Sequence, residues 1–213
     1  MEMEKLAFLD EKIIGAILEK LREERNLKII SFSELYRLLN EFENRLVQSF
    51  IKLNPRDFGF NGKFIGVGAI PKNLIRINGH FLPKQVFLVF WEMNRILEDD
   101  IGKRLAIFSG YRSPAYQSIV FLRYLKDNKF DLLRTVKGVA FPGYSEHGDA
   151  KNQAIDFCAM GGDSSNIGPA NFEKTIEYKW LTQNASKYGF YLSYPEGNRD
   201  GIMFEPWHWR LKG

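Results

Sequence analysis

The chain places its chemistry in three short segments far apart: Ser109-Gly-Tyr-Arg-Ser113, Ser145-Glu-His147 running on to Asp156, and Glu205-Pro-Trp-His208. Only three histidines occur in 213 residues, and His147 and His208 both fall inside these segments, close to carboxylates. A fold that uses the segments together must return the chain to one place three times. Strands of one sheet can do this, because each delivers side chains to a shared face without helical i, i+4 spacing. Two imidazoles, one aspartate and one further glutamate are the minimum set for a catalytic zinc with a general base.

Composition excludes several other classes. An apolar fraction of 45% with 15% aromatics supplies a real core, so the chain is not a disordered one. The net charge of +4 comes from 30 basic and 26 acidic residues, which make a mixed, solvated surface. No dense Lys/Arg run is present, so no nucleic-acid partner is expected. The single cysteine, Cys158, excludes an internal disulfide and a zinc site built on several thiolates. It follows the mostly apolar run Ala154-Ile-Asp-Phe and is expected to be a buried, inert thiol.

The N-terminal Met1-Glu-Met-Glu-Lys5 is charged and leads into no apolar signal region, and no stretch reaches the ~20 apolar residues of a membrane span. The expectation is a chain without a membrane span: periplasmic or in the cell envelope if an export signal has been removed, and cytoplasmic otherwise. The sequence assigns no oligomeric state.

Secondary structure follows from pattern and punctuation. Ile13, Ile14, Ile17, Leu18 and Leu21 form a helical stripe that Asp10 can cap. Ser31-Phe-Ser-Glu34 has capping-box form and precedes Leu35, Leu38, Leu39, Phe42 and Leu46, a second helical stripe. Glycines and prolines thicken between Asn54 and Gly79, where irregular structure and a short strand at 74–77 are expected. A helix starts at Pro83 and carries Val86 through Leu97, a strand covers 104–109, and Ser113-Pro114 opens a helix to about Lys126. A buried strand is read at 154–158 and a helix at 172–187 closed by Gly189, with strands at 190–194 and 202–211. Helices grouped around a mainly antiparallel sheet define an α+β fold. The organisation expected is a helical segment over residues 1–54 packed on a domain over 55–213.

Taken singly, the residues have ordinary readings. His208 between Trp207 and Trp209 reads as a core histidine, Asp156 as a strand-end cap, and Arg112 as a surface cation. Glu146 and Asp149 read as solvated loop charges, and His80 as a turn residue outside the site. The conjunction changes the weights. His147, Asp156 and His208 supply two neutral nitrogens and one anionic oxygen, leaving a bound zinc with net positive charge to acidify water. Glu205, three residues before His208 with Pro206 between, can reach that water from a turn or bulge and act as general base. Arg112, at a strand end, can donate a fixed fork of hydrogen bonds to a carbonyl oxygen or a carboxylate.

These motifs resemble those of the zinc D-alanyl-D-alanine carboxypeptidases of the VanY type, which share the Hedgehog/D,D-peptidase fold. The likeness runs from Ser109 to Arg210. It rests on Ser-Gly-Tyr-Arg-Ser with Gln117, Pro142-Gly-Tyr-Ser-Glu-His147, Ala-Ile-Asp156, Trp180-Leu with Tyr188-Gly-Phe190, and Glu205-Pro-Trp-His208. The resemblance implies one zinc per chain held by His147, Asp156 and His208. It makes Glu205 the catalytic base and Arg112 the residue that steadies the substrate carbonyl oxygen. It further implies Ser145 and Gln117 as contacts to a terminal D-residue and Tyr144 and Trp207 as pocket walls.

The expected partner is a peptidoglycan stem peptide or muropeptide, trimmed of its terminal D-alanine. An L,D-carboxypeptidase, a D,D-dipeptidase, an L-alanyl-D-glutamate endopeptidase and a non-catalytic Hedgehog-like zinc module are the alternatives. One departure stands out. Eight residues separate His147 from Asp156, two more than is usual in the family.

Overall fold

The computed structural model describes residues 10–24, 26–160 and 171–212; the charged N-terminal residues 1–5 read above lie outside them. The chain divides into two compact units. One comprises residues 1–70, 112–145 and 199–202, and the other comprises 71–111, 146–198 and 203–213.

The first unit is helical. Helix α1 (Glu11–Lys20) starts where the Asp10 carboxylate accepts the Lys12 and Ile13 amides, and it buries Ile14 and Ile17. The expected second helix is two. Helix α2 (Phe32–Leu38) carries the capping box of Ser31 and Glu34, and helix α3 (Glu41–Lys52) begins at a second box formed by Asn40 and Glu43. Asn40 satisfies the first amides of α3 and so breaks the apolar stripe after Leu39. Phe42, counted in that stripe, is 64% exposed beneath the Arg45 guanidinium, 4.7 Å from the ring centre. Helices α5 (Pro114–Asp127) and α6 (Leu132–Thr135) complete this unit. Their core includes an aromatic chain in which Phe121 contacts Phe50 and Phe141, and Phe141 contacts Phe58 and Phe60.

The second unit is α+β. Strands β1 (Leu74–Ile77) and β2 (His80–Pro83) form a hairpin across Asn78-Gly79, and His80 opens β2 rather than lying in the turn. Helix α4 (Lys84–Ile101) follows, with Pro83 just before its first turn, and buries Val86, Phe90, Met93 and Leu97. Strands β3 (Leu105–Ser109), β4 (Ala154–Ala159), β5 (Phe190–Leu192) and β6 (His208–Leu211) make an antiparallel sheet of order β3-β4-β6-β5. The helix read over 172–187 is shorter. Thr175 is extended and caps helix α7 (Ile176–Asn184) through its hydroxyl, while tight turns occupy Phe172–Lys174 and Ala185–Tyr188. Gly189 closes that segment at φ 78°, as a C-terminal glycine should. The strand read over 202–211 is confined to its last four residues, because a turn at Pro206-Trp207 interrupts it.

The side-chain alternation of the sheet sorts core from chemistry. Ile155 and Phe157 of β4, Trp209 and Leu211 of β6, and Phe190 of β5 join Val86, Phe90, Met93 and Leu97 of α4 in one apolar cluster. Asp156, Cys158, His208 and Arg210 alternate with them, on the opposite face. Phe157 is fully buried and stacks on Phe90 with ring centres 5.5 Å apart. Phe157→Ala is expected to cost about 3–5 kcal/mol, read as a lowered midpoint in guanidinium denaturation.

Candidate active site

Register builds the centre of the site. Asp156 on β4 pairs directly with His208 on β6, so their side chains share one face. On its other side Asp156 is paired with Ser109 of β3, after a bulge between Ile107 and Ser109 that passes over Phe108. Phe108 is left 46% exposed. His147 arrives from the short turn Glu146–Gly148.

The eight-residue spacing to Asp156 is taken up by a folded loop. Asp149 Oδ1 accepts the amides of Lys151 at 3.1 Å and Asn152 at 3.2 Å. The result is that His147, Asp156 and His208, all buried, each offer a ligand atom within 4.8 Å of the others.

The donor set and its supports fit a divalent metal. His147 Nδ1 lies 2.8 Å from the Gly110 carbonyl, an acceptor only, so Nδ1 carries the proton. That tautomer turns the Nε2 lone pair toward Asp156 Oδ2, 3.2 Å away. Gly110 cannot be replaced without movement, since a Cβ there would meet the Phe81 carbonyl oxygen at 2.5 Å. The tight contact holds the backbone whose carbonyl orients His147. His208 has Nδ1 2.9 Å from Asp156 Oδ1 and Nε2 3.1 Å from Glu146 Oε2. Glu146 and Asp156 both only accept, so a metal-free His208 has an acceptor for a proton on each nitrogen. A neutral ring that keeps its proton toward Glu146 turns the Nδ1 lone pair to Asp156. Two imidazoles and a carboxylate converging on one point, each braced from behind, are what a metal with an open position requires.

Glu205 stands at the edge of this group. A turn joins it to His208, whose amide donates to the Glu205 carbonyl at 3.1 Å, and Glu205 Oε2 lies 3.7 Å from His208 Nδ1. The Glu205 amide in turn donates to the Tyr194 carbonyl. The Tyr194 ring packs on His208 with centres 4.7 Å apart. Trp207, in the same turn, is partly buried against the apolar cluster.

Electrostatics follow from the same contacts. Burial alone would raise the Asp156 carboxyl, but His147 and His208 outweigh it and hold it well below the usual carboxylate range. Burial also opposes ionisation of Glu146, yet His208, Arg210 and a bond from the Ser193 side chain bring its pKa down to about 2. Burial disfavours charge on His208, but Asp156 and Glu146 raise it to about 10. Without a cation His208 is therefore an imidazolium between carboxylates, and a metal held here would take the place of one of its protons.

Glu146 and Asp149 are not the solvated loop charges expected from the sequence. Glu146 is 8% exposed and Asp149 is partly buried, and Arg210 bridges them at 2.7 Å to each. Arg210 was legible only as the residue two beyond His208, hence on the same face of β6. Cys158 is free and buried, and burial raises its thiol pKa, in keeping with an inert role.

Arg112, Gln117, Tyr144 and Ser145 belong to the helical unit. Ser145 is buried, and Arg112 is partly buried directly after Tyr111. Gln117 is buried in α5 and donates to the Ala140 carbonyl at 2.7 Å, while its Oε1 has no hydrogen-bond partner among the described residues. Tyr144 lies edge-on to Phe60 and Phe64. No helix among the described residues is long and apolar enough to cross a membrane.

A braced His-Asp-His group on an antiparallel sheet with helices against its other face defines the Hedgehog-like D,D/L,D-peptidase class. The solved structures agree. The LdcB LD-carboxypeptidase superposes with a TM-score of 0.60 at 26% identity, over 75% of this chain and 78% of that one. A vancomycin resistance D,D-pentapeptidase VanY variant in complex with Zn(II) superposes at 0.55 with 25% identity, over 66% and 78%. The chain belongs to the VanY D-alanyl-D-alanine carboxypeptidase family, whose model matches residues 80–213, more than half of it. A D-alanyl-D-alanine carboxypeptidase of Enterococcus faecium is 30% identical over 154 residues, 70% of this chain and 41% of that protein. The chain spans about two fifths of the length of curated relatives such as this one.

Proposed function

We propose that the protein is a zinc-dependent D,D-carboxypeptidase that removes the terminal D-alanine from peptidoglycan stem peptides. The observation that carries this reading is Glu205 beside the His147–Asp156–His208 group, since a structural zinc site has no use for a carboxylate at its edge. One zinc ion per chain would be held by His147, Asp156 and His208. When bound, such an ion acidifies a water molecule and polarises a carbonyl oxygen. The peptidase domain is assigned to residues 55–213, with residues 1–54 as a helical attachment.

The chain's own residues then divide the work. Glu205 accepts a proton from the attacking water as its oxygen bonds to the scissile carbonyl carbon. It returns that proton to the amide nitrogen as the C–N bond breaks, releasing D-alanine as a free amine. Arg112 is assigned to the carbonyl oxygen as charge builds on it. Ser145 and Gln117 are assigned to the terminal residue, and Tyr144 and Trp207 to the walls around it. Family membership and the matching motif positions support these assignments. The substrate class sets the place of action: the cell envelope, or a cytoplasm that recycles the same peptides.

The likeness to an LD-carboxypeptidase favours a second reading, in which the bond cut joins an L-residue to the terminal D-alanine. Mass spectrometry of muropeptides separates the two. Zinc-loaded protein is expected to shorten a pentapeptide stem by one D-alanine and to leave the tetrapeptide intact. Shortening of the tetrapeptide alone would establish the L,D reading, cleavage inside the stem an endopeptidase, and a failure to shorten either stem would count against both.

A further inference from the structure

Behind His208 lies a line of charged bonds that the catalytic roles above do not use. Glu146 Oε2 meets His208 Nε2 at 3.1 Å, and its Oε1 accepts from Arg210 Nη1 at 2.7 Å. Arg210 Nη2 donates to Asp149 Oδ2 at 2.7 Å, and its Nε to the Asn152 carbonyl at 2.9 Å. These three bonds of the guanidinium all end within residues 146–152, the segment that carries the two additional residues. Arg210 pairs across the sheet with Ala154, whose small side chain accompanies the large one on that face.

We propose that Glu146, Arg210 and Asp149 act as positioning residues that fix the tautomer and orientation of His208, with the longer loop as their anchor. This rests on the zinc reading and deepens it. A neutral imidazole carries one proton: with Nδ1 given to a metal on the side of Asp156 and Glu205, that proton would sit at Nε2, where the Glu146 carboxylate accepts it and fixes the ring.

Arg210 does the second task. Glu146 directly precedes His147 and, if it could swing, would be a rival ligand. A planar guanidinium bound to its other oxygen prevents that rotation, which a flexible ammonium would do less well. Asp149 is the third part. One of its oxygens organises the loop by accepting the Lys151 and Asn152 amides, and the other holds Arg210. The additional residues are therefore not slack. They fold so that a loop carboxylate reaches the guanidinium that braces a ligand.

The test uses the full chain loaded with Zn²⁺. It reads zinc affinity by chelator competition and the His208 ring nitrogens by 15N NMR of histidine-labelled protein. Asp149→Asn keeps an oxygen for the loop amides but turns a neutral amide toward Arg210, so the loop is preserved while the tie is cut. Wild type is expected to show the proton at His208 Nε2. Glu146→Gln and Arg210→Lys are expected to weaken zinc binding roughly ten- to hundredfold, the range for groups that orient metal ligands. Asp149→Asn should weaken it severalfold and shift the His208 nitrogens. The Glu146→Gln/Asp149→Asn pair should fall short of the product of the single effects, since Asp149 acts only through Glu146.

A purely structural role would lower thermal stability while leaving zinc affinity and the His208 signals in place, and that result overturns the proposal. So does a proton found at Nδ1. Should Glu146→Gln fail to fold, Asp149→Asn and Arg210→Lys decide the matter alone. Wild-type protein that takes up no zinc would instead overturn the zinc reading on which the proposal stands.

Discussion

Glu205→Ala is expected to retain one zinc per chain and to lose D-alanine release by about 10²–10⁴-fold, the range for removal of a positioned general acid–base. The two readouts separate because Glu205 stands beside the ligands rather than among them. Its carboxylate is 3.7 Å from His208 Nδ1, whereas Asp156 is at 2.9 Å and braced across the sheet. Zinc would be measured by metal analysis after dialysis and activity by mass spectrometry of digested stem peptides. Hydrolysis that survives in the variant would remove Glu205 from the mechanism. Loss of zinc together with activity would make it a ligand and not a base.

His208→Ala is expected to abolish stoichiometric zinc binding and all activity, and also to destabilise the metal-free protein by about 3–5 kcal/mol. The second effect comes from what the imidazole leaves behind. Asp156, Glu146 and Glu205 all face His208, and without it Asp156 and Glu146, both buried, lose the imidazolium they share. Chemical denaturation in the presence of a chelator measures this cost separately from the metal's contribution. Equimolar zinc retained by the variant would contradict the ligand assignment.

The candidate site residues were more legible in the sequence than the scaffold around them. His147 and His208 are two of only three histidines, and with Asp156 and Glu205 they fall in ordered motifs, so chemistry singles them out. The Asp156–His208 pairing was implicit in two alternating strands. Glu146, Asp149 and Arg210 were not legible, because a charged residue in a loop looks the same whether it faces water or a guanidinium. Alternation in the strand already set Arg210 on the face of His208, but only the folded loop shows that Glu146 and Asp149 meet it there. Gly110 was similarly opaque, since its need for a bare backbone comes from Phe81, a residue of another strand. In the helical part, Asn40 hid a second capping box inside what read as one apolar stripe. A local side-chain bond to an amide there outweighed the pattern around it.

The pairing of Asp156 with a histidine 52 residues further on also bears on how the molecule is made. Contacts of such separation form late, after the entropy of closing the intervening loop has been met. Until that pairing forms, His147, Asp156 and His208 are not gathered within 4.8 Å of one another, and a cation meets a poorer trap. If zinc binds as proposed, it would favour the finished sheet over partly folded forms, adding about 2.7 kcal/mol when free zinc stands at a hundred times its dissociation constant. Metal supply would thus govern the lifetime of the protein as well as its turnover.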